Sequence, residues 1–135
     1  MKSPLSRFWP AFLAIDVVLI ITFAALGRDT HAHGVDPAGV LLTASPFIAA
    51  CLAGWLALRT WRRPEALWPA GVALWIVTAG AGLVIRFLAG GGIAPSFALV
   101  TFGVLAAFLL LPRAAGSLVM RGHARRDSTR LKDRA

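Results

Sequence analysis

Four apolar runs, at about residues 8–26, 38–58, 67–89 and 95–111, decide what this chain can fold into. Each is close to the roughly 20 residues that cross a bilayer core as a helix. Lipid leaves such a segment few alternatives, because every backbone N–H and C=O must find its partner without water. Short stretches containing Gly, Pro and charged residues separate the runs. The sequence therefore reads as all-α: a polytopic bundle of four transmembrane helices within residues 1–113, followed by a basic tail, 114–135, expected to be disordered for want of apolar area to bury. Composition agrees, since only 15% of residues are charged against about 25% in soluble domains.

Lys and Arg number 14 against 6 Asp and Glu, a formal charge of +8. Nucleic acid is not the partner this implies, because the basic residues sit at the ends of apolar runs and in the tail, where lipid headgroups meet them. The amino end, the 59–66 loop and the stretch from Arg113 onward hold 12 of the 14, and only Arg28 and Arg86 lie on the other side. The positive-inside rule then places both termini in the cytoplasm, giving a multi-pass protein of the cell membrane, N-in and C-in. Lys2 and Arg7 also resemble the start of a signal peptide. The length of the first run and the acid within it favour an uncleaved span. Cys51 has no second cysteine to bridge and reads as a small buried hydrophobe.

That acid, Asp16, is the exception in the pattern. A central Asp costs about 2.5–3.5 kcal/mol of insertion free energy, while the ten or so strongly apolar residues around it return roughly 3–6 kcal/mol. The run still inserts, but the carboxylate needs a partner. Thr78, Thr22, or a backbone carbonyl freed where Pro46 kinks the second run would hold it structurally; a proton-carrying role is the functional alternative.

Helix rise places Asp16 roughly 10 Å from Trp9, and Arg28 and Arg86 roughly 28 Å along their respective runs. Arg28, Arg86 and His31, one turn beyond Arg28, would then form an outer cluster able to hold a lipid phosphate or a small carboxylate. Alternatively, both arginines reach to headgroups and Asp29 pairs with one of them. His31 and His33 are two residues apart and do not stack on one helical face, so no metal is expected, and no residue set implies another cofactor. No nucleophile with its base and no phosphate-binding loop is evident, which leans away from an enzyme.

Gly71, Gly80 and Gly82 would let helices approach closely. A weak repeat is also visible: Ala44-Ser45-Pro46-Phe47 and Ala94-Pro95-Ser96-Phe97 each read as the opening of a returning helix, fifty positions apart.

Asp16, Gly27-Arg28-x-x-His31, Pro46-Phe47, Gly82-x-x-x-Arg86 and Ser96-Phe97, in this order and spacing, closely resemble the bacterial membrane proteins grouped as domain of unknown function 3054, over about residues 10–113. The resemblance implies a small four-helix integral membrane protein of uncharacterised activity. Ala32 and His33 depart from the acidic or polar residues of those relatives.

The function expected is transport, or binding of an anion or anionic lipid, by a protein that associates with further copies of itself. The alternative is a non-catalytic assembly or accessory protein whose polar residues only hold helices together. A reporter active only outside the cytoplasm is expected to work when fused at Gly91 and to stay silent at Arg63; activity at Arg63 would reverse the orientation.

Overall fold

The computed structural model describes residues 2–30 and 36–135. A single turn, Pro4–Phe8, leads into α1 (Trp9–Thr30); α2 (Pro37–Leu58) follows, then a short turn at Thr60–Arg62. A wide turn, Leu67–Gly71, leads into α3 (Val72–Leu88), and α4 (Pro95–Asp133) completes the chain. There is no strand among the described residues. Four segments, Pro4–Arg28, Pro37–Leu58, Leu67–Leu88 and Pro95–Asp133, are long and apolar enough to cross a membrane, as a multi-pass membrane protein requires.

α2 packs against α1 and α3, while α4 packs against α3 and α1, so the helices close into a ring. Inside lie Ile20, Phe23 and Ala24 of α1, Ala44, Phe47, Cys51 and Trp55 of α2, Leu74, Ala79 and Leu83 of α3, and Leu105 and Leu109 of α4. Large apolar side chains such as Val18, Leu42, Leu56, Val84 and Leu99 point outward. A lipid-facing helix requires this, since its solvent is as apolar as its core.

The first three apolar helical segments run Pro4–Arg28, Pro37–Leu58 and Leu67–Leu88, where the sequence places runs at about 8–26, 38–58 and 67–89. The fourth does not end at Pro112: α4 continues through it to Asp133, so residues 114–133 are helical where disorder is the expectation. Proline removes one ladder bond without ending the helix when neighbouring groups hold the backbone on both sides. Here Arg113 donates from Nη1 to the Leu109 carbonyl at 2.7 Å and is itself anchored in the bundle. Beyond it, Ala, Leu, Met and Arg favour helix, and Ser128 and Thr129 both donate back to the Arg125 carbonyl.

Pro46 lies inside α2 and, lacking an N–H, cannot bond the carbonyl of Leu42 four residues earlier. Ser45, the residue before it, supplies the missing donor: its Oγ bonds the Leu42 carbonyl at 2.8 Å. The Ser-Pro pair thus repairs in lipid the ladder that the proline breaks. The two repeat-like quartets are not equivalent, however. α2 begins at Pro37, capped by Asp36, so Ala44–Phe47 lies within it, whereas Ala94 caps α4 at Pro95. What the quartets share is a target: Phe47 and Phe97 lie on the Phe23 ring at 5.5 and 6.4 Å between centroids.

Gly82 lies against this aromatic cluster, and a Cβ there would collide with the Phe47 ring. A Cβ at Gly80 would clear its nearest neighbour, Phe102 Cζ, by 4.0 Å. Gly82→Ala is expected to destabilise the bundle by about 1–3 kcal/mol through overpacking, with Gly80→Ala near wild type, as read by thermal unfolding in detergent.

Candidate functional site

Asp16 sits two turns into α1 on the face turned toward α2 and α4, and it is completely buried. Its partner comes from the opposite end of the chain. Arg113, also fully buried, donates from Nη1 to Asp16 Oδ1 at 2.8 Å and from Nη2 to Oδ2 at 2.7 Å. A third donor, Trp55 Nε1 of α2, reaches Oδ2 at 2.9 Å. The planar guanidinium matches the carboxylate in a two-point fork, the strongest form of such a pair.

All the helices are shaped around this contact. The turn before α3 contributes by what it lacks: a Cβ on Gly71 would meet the Ala66 carbonyl oxygen at 2.6 Å and Arg113 Cδ at 3.0 Å, so glycine lets the turn close beside the arginine stem. Trp55 adds its ring 6.0 Å from Arg113 Cζ. Cys51 and Thr78 lie next to the pair across the α2–α3 seam. Thr78 Oγ1 is buried without an oxygen or nitrogen partner, as is Arg113 Nε.

Where Thr78, Thr22 or a carbonyl freed at Pro46 is the expected partner, Asp16 instead holds an ion pair. Arg113 follows the proline taken to end the last span, so it reads as an interfacial stop rather than an interior residue. The available signal was arithmetic: one acid inside the first run calls for one cation at matching depth, and an α4 that continues past Pro112 supplies it.

At the same end of the bundle, the turn Pro4–Phe8 is pinned to the α2–α3 connection. Ser3 N–H donates to the Arg62 carbonyl at 3.0 Å, and Ser3 Oγ to Glu65 Oε2 at 2.9 Å, with both residues buried. Gly116 of α4 lies over Glu65 and Phe12, where a Cβ would meet them at 3.0 and 3.3 Å.

The far end gives Arg28 and Arg86 separate surroundings. Arg28 Nη2 pairs with Asp36 Oδ1 at 3.0 Å, and Nη1 reaches Thr43 Oγ1 at 3.4 Å. Asp36 in turn caps α2, its Oδ2 accepting from Gly39 N–H at 2.7 Å. Arg86 stands 4.9 Å from the centre of the Phe97 ring and donates from Nε to the Gly92 carbonyl at 3.4 Å. Each arginine thus ties its own helix to the start of the next. His31 lies outside the described residues.

The Gly39 N–H, and after it the Arg28 charge, hold the Asp36 carboxyl below its ordinary 3.8 despite an opposing desolvation effect. A depressed carboxyl contributes stability above its unfolded value and loses it as pH falls through the folded one. Asp36→Asn keeps the cap and deletes the ion pair. The wild type is expected to melt above this variant at neutral pH, with the gap closing as pH drops below 3.8; a gap unchanged at acid pH would mean that the ion pair adds nothing.

Among curated proteins and among solved structures, none matches this chain. A family model does match, over residues 13–116, a range that takes in α1 from its first turns, all of α2 and α3, and α4 to just beyond Arg113. Both members of the buried pair fall within it, and the chain belongs to the family described as protein of unknown function, DUF3054.

Proposed function

We propose that this is a non-catalytic integral protein of the cell membrane, N-in and C-in, whose bundle is a closed module for assembly or accessory roles. The saturation of Asp16 carries this reading. Both carboxylate oxygens are taken by Arg113, and Trp55 adds a further bond to one of them, with carboxylate and guanidinium shut off from solvent. A proton carrier or a coupling-ion ligand needs an oxygen to offer, and here the oxygens are engaged from within the chain.

A buried pair of this kind specifies an arrangement more than it stabilises one. Desolvating two ions offsets much of their attraction, but losing either partner leaves a charge stranded in an apolar interior. The pair joins α1 to α4 and, through Trp55, to α2, which fixes how the ring closes. The basic residues outside the buried pair, five in the amino end and the 59–66 loop and six in residues 114–135, support the cytoplasmic placement of both termini.

A second reading, anion binding at the far rim, is favoured by one observation. Arg86 has no carboxylate partner among the described residues and holds its charge over the Phe97 ring. Arg28, by contrast, carries its own acid, Asp36. In that reading Arg86 is the anchor, and a small carboxylate or a lipid phosphate is the ligand.

Single variants Asp16→Asn and Arg113→Gln are expected to lose about 3–5 kcal/mol each and to accumulate poorly. The double variant Asp16→Leu/Arg113→Met is expected to recover much of that loss and to assemble as the wild type does, judged by thermal unfolding and size-exclusion profile. A double variant that folds normally but assembles differently would give the pair a role beyond structure.

A further inference from the structure

The end of the bundle that carries the N-terminus holds a groove of about 340 Å³, lined by Lys2, Ser6, Arg7, Trp9 and Trp61. We propose that this groove is a binding site for the headgroup of an anionic phospholipid, with the phosphate held between Lys2 and Arg7 and the acyl chains lying along the start of α1. The proposal rests on the membrane placement of the bundle, and neither on its orientation nor on the role of the Asp16–Arg113 pair.

The walls of the groove are fixed in place. Ser3 is bonded by its backbone N–H to the Arg62 carbonyl and by its hydroxyl to Glu65, so the turn bearing Lys2, Ser6 and Arg7 is locked onto the turn bearing Trp61. Trp9 lies 6.4 Å from the ring of the buried Trp55. A headgroup would therefore meet a preformed recess, with little ordering left to do on binding.

The charge selects an anion. Lys2, Arg7, Arg59, Arg62 and Arg63 gather at this end and are all exposed, and no ion pair among the described residues engages them. The nearby acid, Glu65, is buried at 6% exposure and bonded by Ser3 and forms no ion pair with these cations, and one acid against five leaves this end net positive. Two cations lining the recess, with three more on the adjoining turn, make a positive site.

The surroundings select a lipid over a free anion. Trp9 and Trp61 flank the cations as an interfacial pair. Trp55 and Trp75 commit their indole N–H groups to Asp16 and to the Phe102 carbonyl, whereas those of Trp9 and Trp61 have no such partner among the described residues. An indole with an apolar face and an available donor suits the boundary between headgroup and acyl chain. Phe8 stands exposed beside the recess, with Arg7 Cζ 4.8 Å from its ring centre, and the apolar outer face of α1 begins there.

The test is titration of the full-length protein in detergent with phosphatidylglycerol, phosphatidylcholine or inorganic phosphate, with bound lipid counted by native mass spectrometry. The wild type is expected to prefer phosphatidylglycerol. Lys2→Gln/Arg7→Gln is expected to lose that preference, by about fivefold in affinity for each cation removed, with phosphatidylcholine binding unchanged. Both residues are exposed, so the variant is expected to melt as the wild type does; Lys2→Gln alone, with the smaller loss, serves if the double variant accumulates poorly. Arg126→Gln/Arg130→Gln, far out on α4, is expected to leave the preference intact. Full phosphatidylglycerol affinity in the Lys2/Arg7 variant, or an equal loss in the α4 variant, would overturn the site. Displacement of the lipid by stoichiometric inorganic phosphate would show a free-anion site and overturn the lipid assignment.

Discussion

A carboxylate inside an apolar bundle has to be neutralised where it lies, and the rest of this fold is arranged so that Asp16 is. The arginine that meets it enters from α4 past a glycine at the foot of α3, and a tryptophan from α2 completes the set. These contacts have exacting geometry: a two-point fork tolerates little rotation, and an indole N–H reaches its acceptor along one line. Apolar packing alone allows helices to slide and rotate at little cost in lipid, where side chains find similar surroundings on either side of an interface. One directional contact shared by α1, α2 and α4 removes that freedom. The aromatic cluster of Phe23, Phe47 and Phe97, nearer the far end, then fills a space whose walls are already set.

The two ends of the bundle handle charge in opposite ways. At the far end, Arg28 and Arg86 are drawn into the helix starts: one on the acid that caps α2, the other over the aromatic ring near the beginning of α4. These contacts set how each helix follows the last. At the N-terminal end the acid is internalised and the cations are left outside. A bilayer distinguishes such ends strongly, because headgroup phosphates reward unpaired Lys and Arg and gain nothing from paired ones.

Helix number and the burden imposed by Asp16 were legible in the residues, because hydrophobic length and the cost of a charge in lipid are properties of a segment by itself. Asp16's true partner was not. Pro112 looks like a terminus when only local backbone chemistry is weighed, and what carries α4 through it is a tertiary anchor on Arg113 that local chemistry does not contain. The far rim shows a related gap. Depth along a helix placed Arg28 and Arg86 at a common level, but depth says nothing about azimuth, and each side chain turned toward a different neighbour. Ser45 is the reverse case: a serine just before an interior proline is a local signal with a local consequence, and the hydroxyl does bond the carbonyl that the proline leaves open.

The 97 residues that separate Asp16 from Arg113 also order events in time. Chains grow from the amino end, so α1 enters the bilayer while its cation has yet to be synthesised. Until α4 arrives, the acid waits with only provisional partners, such as water or a carbonyl, and the earlier helices have no fixed arrangement to adopt. Closure of the ring and neutralisation of the charge are then one event, taking place after nearly all of the spanning chain has been made. A chain cut short before Arg113 would carry an unsatisfied acid in its first helix, a mark that separates unfinished molecules from finished ones by chemistry alone.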